Sequence, residues 1–254
     1  MNLQEQQDLK ATLDIINRID NMLRAEFKDP IRRVSYLNEN LPKLMNSYGS
    51  NLSFMTDLKL FRGFASELVM TYILEIIRSQ CRVLIKEGLI IPTEEGTTQL
   101  DHLILTPTHG AIIEVKHVYG DLYINGTEMI VRNDFETRKM MPWNQNLYHI
   151  YKLKEYLNLT NLFFYNIVFI YGDYRIKEFS PSDGNYLLEY NQSVKNLKAV
   201  INSEPPFKPN ISDVNMAVAK INSLPKLSIF EHIKRVERVW ISSMRVTPYI
   251  VQVI

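Results

Sequence analysis

Two charged residues interrupt one of the most apolar stretches of the sequence. Residues 111–118 read Ala-Ile-Ile-Glu-Val-Lys-His-Val, with Glu114 two residues before Lys116, and the apolar run 99–105 upstream contains Asp101. Alternate residues of a strand point to the same face, so Glu114 and Lys116 are predicted to lie side by side. Ionised groups are costly to bury unless they are paired or bound to a metal, so this pattern requires a specific arrangement of charges.

The turn that joins these two strands decides where Asp101 lies. An even-numbered loop centred on Thr108-His109 pairs Asp101 with Lys116 and places it on the same face of the sheet. An odd-numbered loop turns Asp101 away. An arrangement that brings the three charged side chains together therefore requires the even-numbered loop.

With Asp101 on that face, the available oxygen atoms suit a divalent cation. The carboxylates of Asp101 and Glu114 and the backbone carbonyl of Val115 are hard ligands of the kind that Mg²⁺ and Mn²⁺ prefer. A metal held there would lower the pKa of a bound water, and Lys116 would orient that water or stabilise the transition state. The sequence therefore predicts a metal site for phosphodiester hydrolysis. The alternative is a solvated ion pair of Glu114 and Lys116 on a half-exposed strand.

Two helical segments supply further candidate residues. Glu67 follows Gly63 by four residues, and a glycine at that position lets a helix approach another backbone closely. Glu67 would bind the metal directly, through water or at a second metal position, or it is a surface acid. Gln145 and Asn146 follow Pro142 at the start of a predicted helix, where they either hold the substrate or attacking water or cap the helix.

A small basic cluster precedes that helix. Arg138 and Lys139 are followed closely by Trp143, a combination typical of a surface that contacts phosphates and stacks a base. Asn146 is part of the same predicted nucleic-acid-binding surface. A second cluster in residues 234–240 is better explained as the wet face of an amphipathic helix. Because the net charge is only +1, nucleic acid must be held by such a local patch.

The histidines and the single cysteine do not form a recognisable zinc set. His102 and His117 are each adjacent to a candidate site residue, so they are expected to point to the opposite face of their strands. His149 and His232 are expected on helix surfaces. Cys81 is expected to be a small buried thiol.

The chain is expected to have three parts: an N-terminal helical extension (1–57), a core (58–172) and a mostly helical C-terminal extension (173–254) that packs on the core. Hydrophobic periodicity predicts one helix over residues 3–27. Pro42 and the segment around Gly49 are expected to limit residues 31–58 to short helices. The sheet pattern fades after Gly172, and helices are predicted near residues 190–202, 212–223 and 227–240, before an apolar tail at 246–254. The polar start of the chain and the shortness of its most apolar run predict a cytoplasmic protein.

The ordered motifs resemble the nuclease-related domain (NERD) family over about residues 58–172. The shared motifs are Gly63-x-x-x-Glu67, Gln99-x-Asp101-His102, Glu114-x-Lys116 with Gly120, and Pro142-x-x-Gln145-Asn146. That family in turn resembles the restriction-endonuclease-like PD-(D/E)xK nucleases. Two features depart from the family pattern: the hairpin at 121–132 lacks a tryptophan, and Met141 replaces the asparagine that often precedes the proline.

The resemblance implies an α/β fold, a restriction-endonuclease-like mixed β-sheet flanked by helices, with helical N- and C-terminal extensions. It also implies Mg²⁺-dependent DNA cleavage by Asp101, Glu114 and Lys116, supported by Glu67 and Gln145. The alternative is a catalytically silent domain of the same fold that binds nucleic acid or a partner protein. The helical extensions are candidate surfaces for such a partner or for a homo-oligomer.

Overall fold

The computed structural model describes residues 3–49, 56–94, 96–159, 161–206 and 211–224. The α-helices in these residues are α1 (Leu3–Glu26), α2 (Pro30–Gly49), α3 (Thr56–Gln80), α4 (Pro142–Leu157), α5 (Ser193–Ile201) and α6 (Ile211–Ser223). The strands are β1 (Leu84–Thr93), β2 (Gly96–Leu105), β3 (Gly110–Gly126), β4 (Glu128–Arg132), β5 (Thr137–Met140), β6 (Phe164–Pro181) and β7 (Asn185–Glu189). None of these helices is long and apolar enough to cross a membrane.

The strands form one mixed seven-stranded sheet, which confirms the predicted fold class. β3 and β6 run parallel at its centre, β7 continues the parallel part beyond β6, and the pairs β1–β2, β2–β3, β3–β4 and β4–β5 are antiparallel. Alternation along β3 divides its buried side chains between two layers. Ile113 and Val115 pack in the same core as α3, and Ile112 packs in the core that includes α4 and α6.

The first two helices pack on α3. The amphipathic face of α2 buries Val34, Leu37 and Leu41 in the core that α3 also lines. This packing explains why α2 continues through Pro42, where the sequence was expected to break it into shorter helices. The ring of Tyr72 is fully buried, and its hydroxyl donates to Asp20 Oδ1 at 2.6 Å.

The sheet extends further than the sequence pattern predicts. β6 continues to Pro181 and β7 follows it, so the expectation that the sheet ends near Gly172 is wrong. Beyond Gly172 the strand is largely exposed and rich in charged residues, so the apolar run that marks its first half is missing. Gly172 itself has a φ of 131°, and a Cβ there would lie 2.1 Å from the Val118 carbonyl oxygen, so this backbone conformation requires glycine.

The C-terminal part of the chain is described only in part. The helices predicted near residues 190–202 and 212–223 correspond to α5 and α6. The predicted helix at 227–240 and the apolar tail at 246–254 lie outside the described residues. The division of the chain into three domains stays a prediction.

Candidate active site

One edge of the central strand β3 has two different neighbours. β6 covers the other edge along the whole strand. On the edge of interest, β2 pairs with residues 110–113 and β4 pairs with residues 121–125. Residues 114–120 lie between these two ladders and pair with neither β2 nor β4. The described strands therefore leave a gap in the sheet, which begins at Glu114.

Glu114 and Lys116 meet at this gap, on the same side of β3, as strand alternation predicts. Lys116 Nζ donates to Glu114 Oε1 at 2.6 Å. Glu114 is only 2 % exposed, and its Oε2 is buried without a hydrogen-bond partner among the described residues. This burial argues against a solvated ion pair, because one carboxylate oxygen has been taken out of water without compensation.

Asp101 lies where β2 parts from β3. The ladder between β2 and β3 ends at the pair His102–Ile113, one residue short of Asp101. The carboxylate of Asp101 takes the place of a backbone acceptor, because its Oδ2 accepts a 2.8 Å hydrogen bond from the Val115 amide. Extended to Asp101, this register would bring it opposite Glu114. The predicted pairing of Asp101 with Lys116 is therefore wrong by two residues.

The register differs because the turn between β2 and β3 is displaced along the chain. The Thr106 amide donates to the His109 carbonyl at 2.9 Å, so the turn is centred between Pro107 and Thr108. The prediction centred it on Thr108-His109. Moving the turn by one residue shifts the pairing of the strands by two, which preserves the face to which each side chain points, so Asp101 still reaches the gap.

Glu67 approaches the same group from α3. Burial raises the pKa of Glu67 to about 8, and the negative charges of Asp101 and Glu114 act in the same direction against the opposing charge of Lys116. These interactions place Glu67 near the other two carboxylates. The reason given for Gly63 is wrong, however, because a Cβ on Gly63 would meet no atom within 4 Å.

The carboxyl groups of the gap are held in an unusual electrostatic state. Burial raises the pKa of Glu114 to about 8, with a further contribution from Asp101 and a partial offset from Lys116. Burial also raises the pKa of Asp101, against the hydrogen bond from Val115 and the charge of Lys116. Acidic groups whose environment shifts them towards neutral pH are typical of catalytic and metal-binding sites.

Helix α4 contributes two side chains to the gap. Gln145 Oε1 accepts a 3.2 Å hydrogen bond from Lys116 Nζ. His149, one helical turn further on, is 5 % exposed and places Nδ1 3.8 Å from Glu114 Oε2. The expectation that His149 lies on a helix surface is wrong. Its spacing of four residues from Gln145 was the available signal, since such residues share a helix face.

Comparison with known families is decisive for the central part of the chain. Residues 62–171 match the family model of the nuclease-related domain. This part of the chain is similar to the nuclease-related domain. The match runs from α3 to β6, and the resemblance of this family to the PD-(D/E)xK nucleases is a property of the family as a whole. No curated protein and no solved structure matches the chain.

The gap offers oxygen ligands that suit a hard divalent cation. Glu114 Oε2 is buried and lacks a hydrogen-bond donor, and Asp101 lies beside it on β2. Val115 directs its amide towards Asp101, and in an extended strand the carbonyl of the same residue points to the same edge. Within the described residues, however, no three His, Cys, Asp or Glu side chains are arranged as a metal-binding group. The fit therefore rests on two carboxylates and a backbone carbonyl.

Two residues assigned to nucleic-acid binding are core residues of the domain. Trp143 is fully buried, and its indole Nε1 donates to the Tyr186 carbonyl at 3.2 Å. Asn146 is also fully buried, and its amide donates to the carbonyls of Ile112 and Ile167, both at 2.9 Å. Neither side chain can reach a bound strand. Both predictions were wrong because α4 turns the side chains of Trp143 and Asn146 towards the sheet.

The two basic residues of the same prediction are on the surface. Arg138 and Lys139 lie on the exposed strand β5, where Lys139 forms an ion pair with Glu128 of β4. Arg138 is close enough to His117 of β3 to affect its protonation. The positive charges of Arg62 and Arg138 add to the effect of burial and lower the pKa of His117 to about 4. Their contact with nucleic acid stays a prediction.

Asn146 is expected to be an anchor between α4 and the sheet. Its replacement with alanine removes two buried hydrogen bonds and leaves two strand carbonyls without these donors. We expect Asn146→Ala to lower the free energy of unfolding by roughly 2 to 4 kcal/mol, measured by urea denaturation. The matched control is Asn144→Ala, on the exposed side of the same helix. Equal stability of the two variants would contradict the anchoring role.

Proposed function

We propose that this chain is a Mg²⁺-dependent nuclease that hydrolyses phosphodiester bonds in DNA. The observation that carries the proposal is the cluster in the β3 gap, where buried Glu114 contacts Lys116 and Asp101 lies close to both. A nuclease-related domain supplies the family context. Mn²⁺ would serve in the same place, because it has the same preference for oxygen ligands.

Each side chain has a distinct role in this proposal. Asp101, Glu114 and the Val115 carbonyl would hold the cation, with Glu67 as a further ligand, directly or through water. The bound cation would supply an activated water and neutralise charge on the phosphate. Lys116 would leave Glu114 to donate to a phosphate oxygen or to the attacking water, and Gln145 would keep the lysine ammonium oriented.

Substrate binding would use charge close to the gap. Arg138 lies near β3, and Lys139 follows it on the same exposed strand. Such side chains contact phosphates without reading sequence, so they would position DNA and not select a site. A cytoplasmic location is part of the same proposal.

The test is a cleavage assay on the full chain with plasmid, linear duplex and single-stranded DNA, in Mg²⁺, Mn²⁺ or EDTA. Cleavage in either metal but not in EDTA is expected, together with its loss in Asp101→Ala. Calorimetric titration of Mg²⁺ into the same variant should show loss of binding. Metal-independent cleavage, or unchanged Mg²⁺ binding by Asp101→Ala, would contradict the proposed metal site.

A second candidate is a catalytically silent nuclease-related domain. One observation favours it: the described residues contain no group of three acidic, histidine or cysteine side chains arranged around a metal position. In that case Lys116 would be the permanent counter-ion of Glu114. DNA or protein binding indifferent to Asp101→Ala, with no cleavage in any metal, would support this candidate over the enzyme.

A further inference from the structure

The exposed side of α4 carries an aromatic surface beside the candidate active site. Tyr148 is 42 % exposed and Tyr151 is 61 % exposed, although tyrosine rings bury large areas when a partner covers them. The ammonium of Lys152 lies 5.9 Å from the Tyr148 ring centre and 5.5 Å from that of Tyr151. We refer to Tyr148, Tyr151 and Lys152 as the α4 ledge.

The α4 ledge is continuous with the gap in the sheet. The ring of Tyr148 lies 6.2 Å from the ring of His149. His149 in turn approaches Glu114 Oε2 to 3.8 Å. Gln145, which contacts Lys116, precedes Tyr148 by three residues on the same helix. A polymer bound at Lys116 therefore meets the α4 ledge as it leaves the site along this helix.

The chemistry of the α4 ledge favours bases over phosphates. Lys152 is paired with Glu155 at 3.1 Å, so the ledge presents aromatic faces with nearly balanced charge. In contrast, Arg62 and Arg138 place positive charge near His117 on β3. Bases of a duplex are stacked on one another, whereas an unpaired base gains free energy by stacking on an exposed aromatic ring.

We infer that the α4 ledge binds the unpaired bases of a single nucleic-acid strand whose backbone enters the β3 gap. This inference rests on the proposed function and specifies its substrate class: single-stranded DNA, or the unpaired segment of a partly duplex DNA. The tyrosines stack the bases, and the largely buried Lys152 contacts both rings. Tyr148 and Tyr151 touch substrate away from the scissile phosphate, so they determine specificity and not the chemical step.

Binding can be measured separately from cleavage. Fluorescence anisotropy in EDTA would compare a labelled single-stranded DNA, the duplex of the same sequence and the matching single-stranded RNA, with the full chain. The variants are Tyr148→Ala/Tyr151→Ala and, to restore stacking without the hydroxyls, Tyr148→Phe/Tyr151→Phe. The matched control is Phe179→Ala, which removes an equally exposed aromatic ring from β6.

We expect the parent protein to bind the single strand more tightly than the duplex. The double alanine variant should bind the single strand at least about tenfold more weakly than the parent, because base stacking is lost. The double phenylalanine variant and Phe179→Ala should bind like the parent. Tighter binding of the RNA than of the DNA would overturn the assignment of single-stranded DNA to the α4 ledge. Equal affinity of the alanine variant and the parent for single strands, or an equal loss for the duplex, would overturn the inference.

The outcomes distinguish this inference from the proposed nuclease activity. Selective loss of single-strand binding in a protein that never cleaves DNA would uphold the α4 ledge and reject the activity. Metal-dependent cleavage of duplex DNA that is unaffected by the alanine substitutions, without single-strand binding, would uphold the activity and reject the ledge. Circular dichroism of each variant tests that the fold is retained.

Discussion

Lys116→Ala is expected to lower the rate of Mg²⁺-dependent DNA cleavage by roughly 10² to 10³-fold, the usual effect of removing a positioned donor from a developing negative charge. Lys116 is the cation that contacts Glu114 at 2.6 Å, and Gln145 holds the same ammonium at 3.2 Å. The side chain is thus oriented before substrate arrives. The initial rate of plasmid nicking at saturating Mg²⁺ measures this change.

Lys116→Arg tests whether the charge alone is sufficient. A guanidinium is planar and larger than an ammonium, so it cannot reproduce in the same geometry the contacts that the Lys116 ammonium makes with Glu114 and Gln145. We expect Lys116→Arg to keep the positive charge but to recover little of the cleavage rate lost in Lys116→Ala. Lys195→Ala, which removes an exposed lysine from α5, is the control for a general loss of positive charge. A parental rate in Lys116→Ala would exclude a catalytic role for the residue.

The local features of the site could be predicted because they depend on strand geometry alone. The two-residue spacing of Glu114 and Lys116 places both on one face in any strand, whatever its neighbours are. The fold class, in contrast, was implied by the resemblance of the ordered motifs to the nuclease-related domain family, and the mixed seven-stranded sheet confirms it. The motifs of the family also lie on α3, β2, β3 and α4 in the expected order.

The register of Asp101 and the gap itself could not be predicted from local patterns. Both depend on which strands pair with β3, and at which residue each ladder stops. Gly120 separated two apparent strands in the sequence, but β3 passes through it with a φ of 118°. A single long strand therefore carries β2 and β4 on one edge, and the gap between them is a tertiary feature without a sequence signature.

The side chains of α4 illustrate a different limitation. Trp143 and Asn146 were assigned to a nucleic-acid-binding surface, yet both are fully buried, while Tyr148 and Tyr151 are exposed. Residue type does not determine which side of an amphipathic helix faces the sheet. His149 was misplaced for the same reason, although its spacing from Gln145 was visible.

Removal of divalent cations is expected to make the protein progressively less stable between about pH 7 and about pH 9. Without metal, the pKa of Glu67 and that of Glu114 are both about 8, above the usual 4.5. The folded state therefore retains protons that the unfolded chain has already released. This contribution to stability is complete below about pH 4.5 and is lost as the pH rises through 8. Each pKa unit corresponds to about 1.4 kcal/mol, so the loss is on the order of a few kcal/mol.

Urea denaturation at several pH values, in EDTA and in Mg²⁺, measures this dependence. The pKa of His102 is lowered to about 3 and that of His117 to about 4, so both are neutral in the folded state from pH 7 to pH 9. In the unfolded chain their ordinary pKa of about 6.5 leaves them mostly neutral over the same range. Mg²⁺ should restore stability most at the alkaline end, because it favours the ionised carboxylates. Glu114→Gln should flatten the pH dependence in EDTA and weaken the response to Mg²⁺, whereas the exposed Glu155→Gln should change neither. A stability that is independent of pH in EDTA would mean that the gap does not hold protonated carboxyl groups, and the acidic cluster would then lack the electrostatic strain that a bound cation is proposed to relieve.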